Sequence, residues 1–412
     1  MRFLTKIAFK NLSRHRLRTF VSVVAIAFSV LIVVFARGYV VGMVDAVAAD
    51  HIHYNSGHIK IANQEYLEQE RLLPLNYPVD NLREMMEALQ GIDNVDMVIP
   101  RLKFGAMVST GDELVTMSGW GVDPDLEIAF TDISDYLVEG RMVRNGQLEV
   151  VMGTDLLKKI DRRVGDKITI AYNTAFNSLN GATFTIVGRL QGGMKLLNEF
   201  VFFLPLKEAQ RLLYMDDQAT ELLLVTSGLQ VIDGTLPKVK SMLARRGGEY
   251  VALGYRETSD LIPFMDLAKL IYNQVYIFLV LLASIVVVNT MIMIVKERTR
   301  EIGMMAALGL EGKDIIGLFL VEGGIMGVAG SLIGAVLGFL LTKHFAKVGI
   351  DYTAAMSGVS QDIAFNAILR PVASLGNAIF AFILGVTIVT LACMIPARKA
   401  AGLEPTEAMR GV

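Results

Sequence analysis

Cysteine is nearly absent from this chain of 412 residues. The one thiol, Cys393, lies inside an apolar run, which excludes a disulfide framework and a cysteine-based metal site. Charge is also scarce: 19% of residues are charged against 53% hydrophobic, and mean hydropathy is +0.48, a balance that points to a lipid environment. A net charge of -2 gives no general affinity for nucleic acid, which is not expected as a partner. The phosphate-binding loop Gly-x-x-x-x-Gly-Lys-Ser/Thr is missing. Its nearest approach, Gly312-Lys313-Asp314, has Ala307 where the first glycine belongs and an aspartate where the hydroxyl belongs, so energy from ATP has to come from another chain. A nucleophile elbow is missing too, because Thr116 rather than glycine precedes Ser118 by two residues. A membrane-bound enzyme is disfavoured on that ground.

What the chain has is long apolar runs. About 20 such residues cross about 30 Å of hydrocarbon, and four segments qualify: residues 19–44, 269–295, 315–341 and 376–395. Arg2, Lys6, Lys10, Arg14, Arg16 and Arg18 precede the first with no acidic residue among them, which places the N-terminus in the cytoplasm. Four crossings then put the loop 296–314 and the tail 396–412 on the same side, and Lys296, Arg298, Arg300, Lys313, Arg398, Lys399 and Arg410 agree. Segments 45–268 and 342–375 face outward. A secretory signal is an alternative reading of the N-terminus, but the apolar run is too long and lacks a small-residue cleavage site. Residues 1–18 predict a surface helix leading into the first span, with Phe3, Leu4, Ile7, Ala8 and Leu12 at helical spacing. Arg37 follows a stretch roughly 27 Å long at 1.5 Å per residue and is expected to anchor near the outer headgroups.

Segment 45–268 reads as an α+β domain. Runs 168–171, 184–187 and 221–225 predict strands, and 81–89 and 207–213 amphipathic helices. Strand-rich sequence with turn signals crowds between about 140 and 215, as in an inserted subdomain. His51, His53 and His58 are the metal candidates, since a His-x-His pair on a strand points both rings to one face. Their position just after the first span favours an interfacial role instead. Trp120 reads as a core or turn residue.

The loop after the second span is densely charged at first and apolar later, from Lys296 to Gly309. A short helix there would offer Ile302, Met305 and Leu308 to a partner's groove; a solvated loop with ordinary charge pairs fits the same residues. In the third span Gly323/Gly327, Gly330/Gly334 and Gly334/Gly338 form Gly-x-x-x-Gly pairs, which favour close helix packing. Glu322 lies about 12 Å into this span and must find a partner in protein or water. With no second carboxylate in the spans, a structural hydrogen bond is the expectation over proton coupling.

Taken together, several features resemble the FtsX/MacB-like permeases of ABC transporters. They are the basic start, the large outer domain, the run from Val295 to Gly303, Ala307-Leu308-Gly309, Phe319-Leu320-Val321-Glu322 and the ending Pro396-Ala397-Arg398-Lys399-Ala400-Ala401 with Glu404 to Arg410. Glu139-Gly140-Arg141, Glu149 to Gly153 and Val164 to Ile168 look like that family's inserted subdomain. The resemblance implies an α-helical inner-membrane protein with four transmembrane helices and a MacB-like periplasmic α+β domain between the first two. It further implies a second permease, in a homo- or heterodimer, and a separate ATPase that binds ATP and Mg, with no cofactor in this chain. Lys296, Glu297, Arg298, Arg300, Glu301, Ile302, Gly303, Met305, Leu308 and Gly309 would carry coupling to that ATPase. Size and the lack of a fused ATPase make the chain most similar to the lipoprotein-releasing, LolC/LolE-like branch. That branch implies a lipoprotein or other hydrophobic substrate, membrane lipids and a periplasmic carrier. The alternative is a mechanical regulator that activates an envelope enzyme without transport.

Overall fold

The computed structural model describes residues 16–110, 113–191, 195–259, 261–307, 309–351 and 368–402. The surface helix expected at 1–18 and the tail signature from Glu404 therefore lie almost wholly outside the described residues. Two compact units emerge, one helical (up to Asp45, from Phe264 to Asp351, and from Ile368) and one globular (Ala46 to Pro263).

Helices of eight residues or more are numbered α1 (Arg16–His51), α2 (Leu82–Gln90), α3 (Pro124–Thr131), α4 (Leu206–Leu213), α5 (Ile232–Arg246), α6 (Leu261–Glu297), α7 (Thr299–Ala307), α8 (Gly312–Val348), α9 (Leu375–Ala392) and α10 (Met394–Ala401). Four stretches, starting at Arg16, Ile262, Gly312 and Leu375, are long and apolar enough to cross a membrane. Most run past the apolar segments read from sequence. Hydrocarbon thickness limits the apolar run, whereas the helix continues until the backbone meets a stop. For α1 the extension is a π-helical turn, Ile52–Ser56, ended by Gly57 at φ +59°. For α8 the stop is Gly349, which is also at positive φ.

α8 is the central element of the helical unit. A Cβ on Gly323 or Gly327 would meet Cys393, Val386 and Val389, near the end of α9. A Cβ on Gly330, Gly334 or Gly338 would run into α1 at Ile26, Ala27, Val30, Leu31 and Val34. The glycine row thus lies on one side of α8 and serves two neighbours in succession along its length. Ile26, Val30, Val34, Phe319, Met326 and Ala381 are buried where these surfaces meet.

In the globular unit the strands are β1 (Ile59–Asn63), β2 (Val95–Ser109), β3 (Leu114–Val122), β4 (Leu137–Gly140), β5 (Glu149–Gly153), β6 (Lys167–Asn173), β7 (Leu179–Leu190), β8 (Val201–Pro205), β9 (Glu221–Thr226) and β10 (Tyr250–Gly254). They form one sheet in the order β10-β1-β9-β2-β3-β8-β5-β7-β4. β6 pairs with both β7 and β2, so hydrogen bonding closes a ring through β2, β3, β8, β5, β7 and β6. Closure removes the free edges that such short strands would otherwise expose. Phe104, Val150, Met152, Ile170, Tyr172, Phe184, Ile186 and Phe202 belong to the buried core of this sheet, with α2, α4 and α5 contributing one apolar face each. The segment expected as an insertion at about 140–215 supplies β5 to β8, and these continue the sheet of β2 and β3. β2 bridges the halves: Val95 to Arg101 pair with β9, and Ala106 and Met107 with β6.

Candidate functional site

The segment after the second span begins where α6 ends at Glu297. Thr299 Oγ1 donates to the carbonyls of Val295 (3.1 Å) and Lys296 (2.9 Å), satisfying orphan acceptors at that end. The helical repeat breaks at Arg298 and resumes as α7. α7 closes at Gly309 (φ +98°), whose N–H donates to Ala306 O at 3.1 Å, while the Leu310 N–H reaches Met305 O at 3.2 Å. A reciprocal capping box between Glu311 and Asp314 then starts α8. The result is a short helix fixed at both ends.

Burial shows which face of α7 points out, and it corrects the sequence expectation. Ile302 is only 1% exposed and packs with Ile315 and Phe319, Gly303 is buried, and Met305 is half-buried against the same cluster. Ile302 and Met305 therefore face the chain's own core and not a partner's groove. The exposed face carries Lys296, Arg300, Met304, Ala307 and Gly309, together with Glu297; Glu301 is half-exposed. Leu308 lies outside the described residues.

Arg298 is also buried, contrary to its reading as a solvated charge. Its Nε donates to Glu301 Oε2 at 2.6 Å, and Nη1 lies 3.6 Å from Glu322 Oε1, itself 1% exposed. One guanidinium thus ties α7 to the carboxylate in α8, the structural partner the third span required. Next to it, Arg18 makes a bidentate pair with Glu297, both bonds 2.7 Å, so the start of α1 is joined to the end of α6. Ser22 Oγ, one turn further, donates to Thr290 Oγ1 at 3.1 Å.

A second polar constellation, unforeseen from sequence, lies in the globular unit. Arg101 is fully buried and holds Glu127 through two bonds (2.6 and 3.1 Å) while donating to the carbonyls of Tyr54 (2.7 Å) and His53 (3.3 Å). Those carbonyls belong to the π-helical turn after α1, so the pair clamps that turn to β2 and α3. Beside it Lys60 bonds Glu70 (2.5 Å) and Glu221 (2.9 Å), and Lys103 bonds Glu221 (2.8 Å). Burial alone would raise the Glu221 carboxyl, but Lys103, Lys60 and Arg101 outweigh it and bring it down to about 2. Burial pulls Lys103 below the usual lysine range, with Glu221 only partly offsetting it. Lys103 also lies 4.6 Å from the ring centroid of Trp120, and both open onto a cleft of about 1010 Å³ with His51, Glu70, Arg71 and Ser118. The signal was a charged residue between apolar ones in strand sequence (Ile59-Lys60-Ile61, Leu102-Lys103-Phe104), a pattern that usually marks a solvated face.

The three histidines are separate. His51 Nε2 pairs with Thr258 Oγ1 and His58 Nδ1 with Thr226 Oγ1, both at 2.8 Å, and His53 lies edge-on to Phe130. Among the described residues no group of three or more His, Cys, Asp or Glu side chains is placed to hold a metal. Trp120 is core, edge-on to Phe203, with its indole N–H donating to Ser118 Oγ.

Residues 19–238 match the MacB-like periplasmic core domain, and residues 274–405 the FtsX-like permease C-terminal domain. The chain is 23% identical to the uncharacterized ABC transporter permease MJ1507 of Methanocaldococcus jannaschii over 98% of its own length and 96% of that protein. It is 25% identical to the lipoprotein-releasing system transmembrane protein LolE of Haemophilus influenzae over 80% of its length and 81% of that protein. Among solved structures, the extracellular domain of the noncanonic ABC-type transporter YknZ aligns with 48% of this chain and 99% of that one, at 13% identity and a TM-score of 0.35. This chain belongs to the FtsX/MacB-like family of ABC transporter permeases.

Proposed function

We propose that this permease works with a separate ATPase and a second permease subunit, and that ATP hydrolysis moves its outward globular domain to extract or export a lipoprotein or another hydrophobic substrate. Both chain ends lie in the cytoplasm in this reading, so that α7 meets the ATPase. The observation that carries it is α7 itself: a short helix closed at its end by Gly309, tied through Arg298 to Glu322, and presenting Arg300 and Met304 on its exposed face beside Lys296 at the end of α6. A rigid projection anchored in two spans can pass a push from a bound partner into the bundle, whereas a solvated loop would absorb it. The likeness to lipoprotein-releasing permeases over most of both chains supports the substrate class.

The test is a mild-detergent pull-down from native membranes with an ATPase assay on the eluate. Recovery of a soluble ATPase with a second permease and a lipidated protein is the expected result. Arg300→Glu with Met304→Asp should lower substrate-stimulated hydrolysis at least tenfold, the size of a lost interface hot spot of about 1.4 kcal/mol or more. Wild-type stimulation in that double variant would sink the coupling assignment. Recovery of an envelope hydrolase in place of a lipoprotein would favour the regulator.

A further inference from the structure

Arg37 lies in α1 among the helices, and no described residue offers it a carboxylate. Its Nε donates to Asn377 Oδ1 at 3.0 Å and its Nη1 to Asn273 Oδ1 at 3.3 Å, while the guanidinium sits 3.9 Å from the centroid of the Phe380 ring. Amide oxygens and a ring face hold a cation in place without neutralising it. The guanidinium keeps N–H groups to spare.

Those N–H groups border a pocket of about 100 Å³ that Arg37 lines together with Lys269, Tyr272, Asn273 and Tyr276. Tyr276 is 3% exposed, yet its hydroxyl, a donor, has no hydrogen-bond partner among the described residues, and a buried polar group left unpaired is destabilising. The remaining cation, Lys269, is matched by Asp266 at 2.9 Å. The pocket therefore carries one uncompensated positive charge and a surplus of donors, and it needs an anionic acceptor. A pocket of that size has room for one compact oxyanion. Arg37 follows roughly 27 Å of apolar helix, which puts it at headgroup depth. A basic pocket between helices at that depth suits an anionic headgroup.

We propose that this pocket binds a single phosphate oxyanion, supplied by the headgroup of an anionic phospholipid or by free phosphate. Arg37 supplies the charge and its spare N–H groups, and the Tyr276 hydroxyl supplies a further donor.

The test uses full-length protein in phosphatidylcholine nanodiscs, with phosphatidylglycerol titrated in or inorganic phosphate added to the buffer, and the unfolding midpoint as readout. Phosphatidylglycerol should raise the midpoint dose-dependently, Arg37→Gln should abolish that rise, and Tyr276→Phe should weaken the apparent affinity about fivefold, one hydrogen bond's worth. A rise with inorganic phosphate alone, lost in the same variants, identifies the free anion as the source. The proposal is overturned if neither ligand shifts the wild type, or if Tyr276→Phe responds as the wild type does. The second comparison holds even if Arg37→Gln fails to fold, since Tyr276→Phe removes only a hydroxyl that hydrogen-bonds to no described residue.

Discussion

At the scale of single residues, the buried charges of the globular unit make the sharpest demands. Arg101 and Glu127 are 0% and 1% exposed as side chains, and each relies on the other to offset its desolvation. Arg101→Ala strands the Glu127 carboxylate together with the carbonyls of His53 and Tyr54 in the π-helical turn, a loss of the kind that costs about 3–5 kcal/mol. Denaturant unfolding of the full-length protein should show it, and Arg101→Ala with Glu127→Ala should recover part of it. The titratable groups make a second prediction. His58 has its pKa lowered from 6.5, by burial first and the neighbouring His53 next, so it is neutral in the fold and becomes costly once pH drops below 6.5. Glu221, lowered from 4.5 to about 2, contributes stability that is complete above 4.5 and is lost as pH falls through about 2. Burial also lowers His53, and it lowers His51 from 6.5 to about 4, so the three histidines share the upper stage of the acid profile. Stability should therefore decline in two stages on acidification, and His58→Gln should shrink the upper one without touching the lower; an upper stage of unchanged size in that variant would contradict the assignment of His58.

At the scale of elements, the glycine row of α8 was legible because its spacing is a backbone property that survives folding unchanged. Gly334 sits against the Ala27 carbonyl and Val30 of α1, so Gly334→Val forces the helices apart. The expected loss is about 1–3 kcal/mol of overpacking strain, read as a lower midpoint in detergent, with Gly334→Ala intermediate. The spans were legible for the same reason: an apolar run of sufficient length has few alternatives. The exposed face of α7 was not legible. Three-residue steps from Ile302 do mark one apolar face, but that spacing suits a partner's groove and the chain's own core equally, and only the burial of Ile302 in the cluster with Ile315 and Phe319 decides between them. Arg101 and Lys103 were hidden differently. Alternating charge in a strand ordinarily marks the solvated face, and only the arrival of Glu221, more than a hundred residues later in sequence, shows that face to be closed.

For the whole molecule, the telling feature is where the globular unit begins and ends. β1 and β10, at its two extremities, pair with each other in register from Ile59 opposite Gly254 to Asn63 opposite Tyr250. A domain whose first and last strands are neighbours brings the points of chain entry and exit together, with β10 as the outer strand of the sheet there. Its main core draws only on residues from Ile59 to Tyr255. The fragment 46–263 should therefore fold alone into a soluble protein with a cooperative thermal transition and the same acid profile as the parent, measured by circular dichroism. The Arg101 clamp predicts one asymmetry. It grips the carbonyls of Tyr54 and His53, so a fragment starting after Ser56 leaves Arg101 with Glu127 alone and should melt below the longer one. If both fragments melt together, the clamp adds nothing to the domain's stability, and the hold of the π-helical turn on β2 would have to rest on apolar packing instead.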